Sequence, residues 1–239
     1  MSRTKLLMLA VVCGVCVPYA NGQGMGQGQV RGVQTPYSEP RQNHFFFSTD
    51  LGGEWTVDTH VEDFFDDPFA RGAKVTFEPG VRFGVSGGWF VTDWLAIGGE
   101  TGVMANWVDS VSGPSIVDDV YFSNIPFLFS VRLQAPSNSR FVPYIGGGVG
   151  GSASVIDADT LRIGGTTMHG SDSTVVFAWE AVGGFKVIIS DGMSVGLEYR
   201  YFATEDPVWE ADDFFGVSNE MQFDGVHTHC FSFVFAYNF

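Results

Sequence analysis

The sequence is poor in basic residues, and this excludes one broad class of function. It contains 12 Lys and Arg residues against 27 Asp and Glu residues, which gives a formal net charge of −15. Nucleic-acid binding needs a cationic surface that displaces counterions from phosphates. We therefore expect no nucleic-acid partner.

Long apolar runs are also missing, apart from one near the amino terminus. The run Leu6–Val17 follows the basic residues Arg3 and Lys5 and precedes Ala20-Asn21-Gly22. It is shorter than the roughly 20 residues that a spanning helix needs. A basic start, a short apolar run and a small-residue cleavage site form a secretory signal. Residues 1–22 are therefore predicted to be a signal peptide, with cleavage after Gly22 or, as an alternative, after Ala20.

Cysteine is scarce, and the mature chain would keep only one. Cys13 and Cys16 lie in the predicted signal peptide, so Cys230 remains alone and no intramolecular disulfide can form. A free cysteine usually behaves as a small buried apolar residue. Residues 23–43 are rich in Gly, Gln, Pro and Ser, and this composition predicts a disordered periplasmic tail. The remaining residues, 44–239, form one predicted domain.

The sequence is rich in segments in which apolar residues alternate with small or polar residues at a period of two. Side chains of a β-strand point to opposite faces in turn. At the carboxyl end this alternation places aromatic residues on one face and small or polar residues on the other. The aromatic face consists of Phe231, Phe233, Phe235, Tyr237 and Phe239.

Six earlier segments alternate in the same way, and an uncharged, glycine-rich segment of uncertain facing, 141–156, is a seventh predicted strand. Together these seven segments predict the fold. They are 47–58, 75–89, 95–107, 125–134, 141–156, 177–189 and 193–202. Each is long enough to cross a bilayer as a tilted strand. Short links, including the hairpin signal Asp191-Gly192, alternate with long ones. We predict an all-β, transmembrane, eight-stranded antiparallel up-and-down β-barrel with both termini in the periplasm.

Several motifs resemble the small outer-membrane β-barrel family of OmpA/OmpX type. They are the carboxyl-terminal alternation that ends in Phe239, Asn124-Ile125-Pro126-Phe127, the glycine-rich segment 143–150 and Leu197-Glu198-Tyr199-Arg200-Tyr201. The resemblance covers residues 45–239. It implies an integral protein of the cell outer membrane in a Gram-negative envelope, contact with outer-membrane lipid, and assembly by the barrel-assembly machinery. The resemblance implies that this machinery reads the aromatic residues at the carboxyl end.

Charged residues on the polar faces predict a filled lumen. The candidate network consists of Glu54, Glu78, Arg82, Glu100, Arg132, Glu180, Lys186, Glu198 and Arg200. Buried charges must be paired, because an isolated one costs several kcal/mol. We therefore predict a salt-bridged plug. A gated pore for protons or ions and an acid–base catalytic pair are the alternatives.

The long links combine acidic and aromatic residues. Phe64, Phe65 and Phe69 lie in one, and Trp209, Phe214 and Phe215 lie in another. They could form a partner-binding tip or fold over the barrel mouth. The acidic residues lack the spacing of an EF-hand loop, so we predict solvated surface rather than a divalent-cation site.

No catalytic, cofactor-binding or metal site is predicted. His227 and His229 lack a neighbouring serine in the arrangement that a lipid-modifying enzyme would need. The predicted function is structural or surface-interactive: envelope integrity, adhesion or loop-mediated binding. The alternatives are a narrow porin-like channel for ions or small solutes, a lipid-modifying enzyme, and a soluble exported barrel with its apolar face inside. The family hosts structural barrels, adhesins, channels and enzymes, so the fold alone does not decide among them.

Overall fold

The computed structural model describes residues 45–137, 139–212 and 218–239. The predicted signal peptide and tail lie outside these residues, as do Phe214 and Phe215 of the last long link. In the described part of the chain no helix is long and apolar enough to cross a membrane.

Twelve antiparallel β-strands make up the described structure. In chain order they are β1 Phe45–Thr56, β2 Thr59–Phe64, β3 Lys74–Phe77, β4 Gly80–Phe90, β5 Leu95–Val111, β6 Ser115–Gln134, β7 Phe141–Ile163, β8 Thr166–Ser190, β9 Met193–Thr204, β10 Val208–Asp212, β11 Ser218–Phe223 and β12 His227–Asn238.

Eight of these strands form a closed ring. The hydrogen-bonded order is β1, β4, β5, β6, β7, β8, β9 and β12, and β12 pairs with β1 to close the ring. In the closing pair, Thr49 lies opposite Phe235 and Leu51 opposite Phe233. Neighbours in the ring follow one another along the chain, so the predicted up-and-down barrel is confirmed.

The barrel exposes its apolar face. On β12 the aromatic side chains point outward, and Phe233 is 74% exposed, whereas Cys230 and Ser232 are buried inside. Leu51 on β1 and Phe127 on β6 also point outward. A water-soluble barrel would bury these side chains, so the soluble alternative fails and the outer surface suits lipid.

Turns at one end of the ring are short, and we call this the short-turn end. The β8–β9 turn is Asp191-Gly192, as predicted. Gly192 has a φ of +82°, a backbone conformation that favours glycine. The chain enters β1 and leaves β12 at this end, since Phe46 pairs with Asn238.

A second layer of β-structure covers the other end of the ring, and we call it the dome. It consists of β2, β3, β10 and β11 together with the far ends of β5 to β8. Beyond the ring, β3 pairs with β5, β2 with β3, β11 with β2 and β10 with β11.

Much of the long links, which were expected to be outer loops, is therefore β-structure. Two predicted loops are the ends of long hairpins, because β5–β6 and β7–β8 turn only at about residues 112–114 and 164–165. Register shifts at Thr76/Phe77, Ala158/Leu161 and Gln222/Phe223 interrupt the alternation. Such irregularities break the two-residue alternation by which a strand is recognised in a sequence.

Candidate functional site

Arg200 on β9 lies at the centre of a cluster of charged side chains in the lumen. Its buried guanidinium contacts the carboxylates of Glu100 and Glu180, and its Nη2 lies 2.6 Å from Glu198 Oε1. Glu100 is on β5, and three ring strands separate β5 from β9 in either direction. The Arg200–Glu100 ion pair therefore crosses the lumen from one wall to the opposite wall.

Arg82 on β4 holds a second part of the same network. Its Nε donates to Asp50 Oδ1 at 2.8 Å, and its Nη2 donates to Glu100 Oε1 at 2.6 Å. Arg82 has no exposed surface. Glu100 therefore accepts from Arg82 and Arg200 and joins the two arginines into one cluster.

Arg132 and Tyr144 extend the cluster toward the short-turn end. Arg132 Nη2 lies 3.6 Å from Glu198 Oε2, and the Tyr144 hydroxyl donates to the same oxygen at 2.9 Å. The Arg132 guanidinium also lies 5.3 Å from the centroid of the Tyr144 ring. Glu198 is thus held from three sides, as a buried carboxylate requires.

Glycines opposite the acidic residues make room for this cluster. Asp50 pairs with Gly84 on the neighbouring strand, and Glu180 pairs with Gly148. A Cβ atom at Gly84 would overlap the Asp50 carboxylate, and one at Gly148 would lie 3.1 Å from Glu180 Oε1. The glycine-rich strands therefore supply the space that long charged side chains occupy in a narrow barrel.

The structure places most, but not all, of the predicted lumen residues in this cluster. The members joined by ion pairs are Arg82, Glu100, Arg132, Glu180, Glu198 and Arg200. Glu54 is buried in the lumen, but its Oε2 has no hydrogen-bond partner among the described residues. Lys186 lies half-buried near the short-turn end, with its Nζ 5.4 Å from the Phe90 ring centroid.

Glu78 lies outside the lumen, and its predicted place there was wrong. It is exposed in the link between β3 and β4. Pro79 follows it, and a proline removes the backbone donor that a central strand needs. The predicted strand 75–89 is therefore two strands.

Two members of the network were missed. Asp50 shares the polar face with Glu54, so the alternation already placed it inside. Tyr144 had no such signal, because the predicted strand 141–156 is uncharged and rich in glycine, and the sequence does not assign its two faces. The predicted assembly-signal residues, Phe231 to Tyr237 on alternate positions and Phe239, are all exposed on the outer surface.

The dome has an apolar core above the charged lumen. Trp209 is fully buried, and its Nε1 donates to the Ser154 carbonyl oxygen at 2.9 Å. Edge-on ring contacts join it to Phe122 and Phe223 at centroid distances of 6.3 and 5.3 Å. The rest of the core includes Val61, Phe64, Phe65, Val75, Val111, Ile156, Leu161, Ile163, Met168 and Met221.

Of the four predicted loop aromatics that the structure describes, three therefore fold over the barrel mouth. Phe64, Phe65 and Trp209 are buried in the dome core, whereas Phe69 is 80% exposed. Of the two alternatives for these residues, packing over the mouth is the one that the described part of the chain supports.

Asp67 fastens the β2–β3 link to the β7–β8 turn. Its carboxylate accepts from the backbone N–H groups of Phe69 at 2.9 Å and Gly165 at 2.8 Å. These two hydrogen bonds stabilise the ionised form and lower the pKa of the Asp67 carboxyl below its ordinary value. The bond to Gly165 joins segments that are far apart in the sequence.

His227 and His229 lie on the outer surface. His227 Nδ1 is 2.9 Å from the Tyr201 hydroxyl, and His229 Nδ1 is 2.7 Å from the Tyr199 hydroxyl. Ser232, the nearest serine on the same strand, is buried on the lumen side. A histidine base and this serine therefore cannot meet, because they occupy opposite faces of β12.

Comparison with known proteins gives the family and the fold. Residues 10–239 match the family model described as the outer membrane protein beta-barrel domain. OprG from Pseudomonas aeruginosa is 15% identical, with a TM-score of 0.57 over 82% of this chain and 96% of that chain. Neisserial surface protein A is 12% identical, with a TM-score of 0.51 over 82% and 97%.

A third similar structure is AlkL, determined by solid-state NMR in DMPC bilayers. It is 14% identical, with a TM-score of 0.51 over 87% of this chain and 96% of that chain. At these identities the three structures share the fold with this chain and say nothing about its activity. No curated protein sequence is significantly similar to this one.

Proposed function

The chain belongs to the outer membrane protein β-barrel domain family, and on that premise we propose that it is a closed barrel that presents its dome as a surface for binding. Short turns face the periplasm and long extensions face the outside in such barrels. The dome is therefore on the cell surface and the short-turn end is in the periplasm. The protein is integral to the outer membrane, and we propose that it is exported through the cleaved signal peptide of residues 1–22.

The observation that carries this proposal is that two different barriers fill the barrel in series. The charge cluster around Arg200 and Glu100 crosses the lumen, and the apolar core around Trp209 closes the mouth above it. A water-filled channel would need both to open. An eight-stranded barrel is only just wide enough for its own side chains, which supports a closed lumen.

The dome is suited to binding because its surface is fixed by its own core and is strongly acidic. Exposed carboxylates include Glu62, Asp66, Asp118 and Asp119, and the Phe69 ring is exposed on the same dome. Aromatic residues are enriched in protein interfaces, and the rims of such interfaces are polar. We propose an extracellular partner with a cationic surface, bound through these acidic and aromatic residues.

A narrow channel is the second candidate, and one observation favours it. The lumen is polar, and cavities at the short-turn end are lined by Arg132 and Lys186. Such a channel would be gated by displacement of the charge cluster. We do not propose an enzymatic role, because the outward position of His227 and His229 supports a structural one.

Assembly follows from the same proposal. The exposed aromatic residues on β12 and the terminal Phe239 support recognition by the barrel-assembly machinery, and the exposed apolar belt supports contact with outer-membrane lipid.

The proposal is tested in cells that lack the protein, produce it, or produce the Phe69→Ala/Asp66→Asn/Asp119→Asn variant. We expect attachment or aggregation to depend on the protein and to fall in the variant, while uptake of small hydrophilic solutes stays the same in all strains. Solute uptake that rises with the protein and is indifferent to the dome substitutions would contradict the proposal and favour the channel.

A further inference from the structure

Two adjoining cavities lie at the periplasmic end of the lumen, on the opposite side of the charge cluster from the dome. Their volumes are about 30 and 60 Å³, and they share the lining residues Gln134, Lys186, Ser194 and Asn238. A cavity of roughly 10–15 Å³ on this scale admits one water molecule. Together they have room for several water-sized groups, and hence for a small polyatomic ion.

Lys186 lines both cavities, and among the described residues its ammonium group has no carboxylate partner. In the described residues its ammonium forms no ion pair, and its Nζ lies 5.4 Å from the Phe90 ring centroid. Arg132 lines the smaller cavity together with Lys186, so two cationic side chains border it. A partly buried cation is costly unless an anion accompanies it.

Ser194 supplies a second and independent observation. It lines both cavities and is only 4% exposed, and its hydroxyl has no hydrogen-bond partner among the described residues. Buried hydroxyl groups are nearly always hydrogen-bonded. A ligand with acceptor atoms in the cavity would provide the missing partner.

We propose that these cavities form a binding site for a small oxyanion, namely a carboxylate or phosphate group that enters from the periplasm. Lys186 supplies the charge and Ser194 a hydrogen bond. Arg132 adds a second positive charge, although this guanidinium also forms ion pairs with Glu198 and Glu100. The site lies at the other end of the barrel from the dome, so it does not rest on the function proposed for the dome.

The lining favours the smaller cavity and an organic acid. Asp93 lines only the larger cavity and would repel an anion there. The smaller cavity has an apolar wall of Phe46, Phe90 and Ala96, which suits the carbon atoms next to a carboxylate. Its size admits the anionic group alone, so the ligand is either a free small anion or the anionic end of a larger periplasmic molecule.

The test is calorimetric titration of the refolded barrel with sodium phosphate and with sodium acetate at constant ionic strength. Lys186→Met is compared with Lys74→Met, which removes an exposed lysine of the dome. Heat-dependent mobility in SDS verifies that each variant is folded. We expect saturable binding by the wild type and Lys74→Met, binding at least about tenfold weaker in Lys186→Met, and a smaller loss in Ser194→Ala.

Two results would overturn the site: no saturable binding of either anion by the wild type, or equal affinities in the wild type and Lys186→Met. A third titration, with N-acetyl-D-alanine, distinguishes the sources. Tighter binding than acetate indicates the terminal carboxylate of a larger molecule, and weaker binding indicates a free anion.

Discussion

The guanidinium of Arg200 on β9 contacts the carboxylate of Glu100 on β5, at the opposite wall of the barrel. Both residues are buried, and Arg82 contacts the same carboxylate from a third strand. A buried ion pair contributes little compared with apolar packing, but the loss of one partner is strongly destabilising because it leaves the other unpaired. This pair is therefore both a structural bridge and a barrier to passage.

Substitution of Arg200 by methionine should destabilise the barrel. It leaves Glu100, Glu180 and Glu198 with fewer cations, and we expect a loss of about 3–5 kcal/mol in the free energy of unfolding. Denaturant titration of the refolded protein in lipid measures it. Arg162→Met, on the exposed surface of the dome, is the matched control and should change stability by less than about 0.5 kcal/mol. Equal effects of the two substitutions would argue against a central role for the bridge.

Substitution of Gly84 by alanine should displace Asp50 from Arg82. The new Cβ would overlap the Asp50 carboxylate, and an overpacked interior of this kind costs about 1–3 kcal/mol. Gly183→Ala is the control, because a Cβ there meets nothing within 4 Å. Unfolding of both variants under the same conditions gives the comparison. If Gly84→Ala is as stable as Gly183→Ala, the carboxylate does not lie over Gly84.

Substitution of Trp209 by alanine should loosen the dome and leave the ring intact. Removal of a large buried side chain costs about 3–5 kcal/mol, and the lost contacts lie in the dome core. We expect faster proteolysis of the dome and an unchanged heat-dependent mobility shift. Phe69→Ala, at an exposed position, should leave proteolysis unchanged. Loss of the mobility shift in Trp209→Ala would mean that ring and dome fold as one unit.

The attachment of the dome through Asp67 should depend on pH. The pKa of the Asp67 carboxyl is lowered in the folded protein by the N–H groups of Phe69 and Gly165. The stabilisation that the ionised Asp67 carboxylate gives to the folded state is therefore complete above the unfolded-state pKa. It declines as the pH falls through that value and is lost below the folded-state pKa. Amide exchange at Gly165 measures it: the extra protection of wild type over Asp67→Asn should be present at neutral pH and shrink in acid. A difference that is independent of pH would exclude the carboxylate as its cause.

The ring could be predicted from the sequence because its signal is long and regular. On β12 four aromatic residues, followed by Phe239, alternate with small or polar ones, and this pattern suits a lipid-facing strand. The dome could not be predicted in the same way. Its inner face is apolar where the inner face of the ring is charged, and its register shifts, such as the one between Ala158 and Leu161, break the alternation.

The members of the charge cluster were easier to predict than their pairing. Arg200 and Glu100 both lie on polar faces, but their contact depends on ring closure, which brings β5 opposite β9. In the sequence Glu78 and Glu100 both lie on the polar face of an alternating segment. In the structure β3 ends before Glu78, and Pro79 follows it in the link to β4. Tyr144 lies in a glycine-rich segment that gives no sign of which face points into the lumen. The role of these glycines depends on the neighbouring strand, where Glu180 lies opposite Gly148.

Single-channel recording of the refolded wild-type protein in a planar bilayer tests the closed barrel most directly. With the charge cluster and the dome core both in place, we expect no unitary conductance steps above the bare bilayer, while a porin refolded in parallel gives them. Reproducible steps from the wild-type protein would contradict the closed lumen and establish the channel instead.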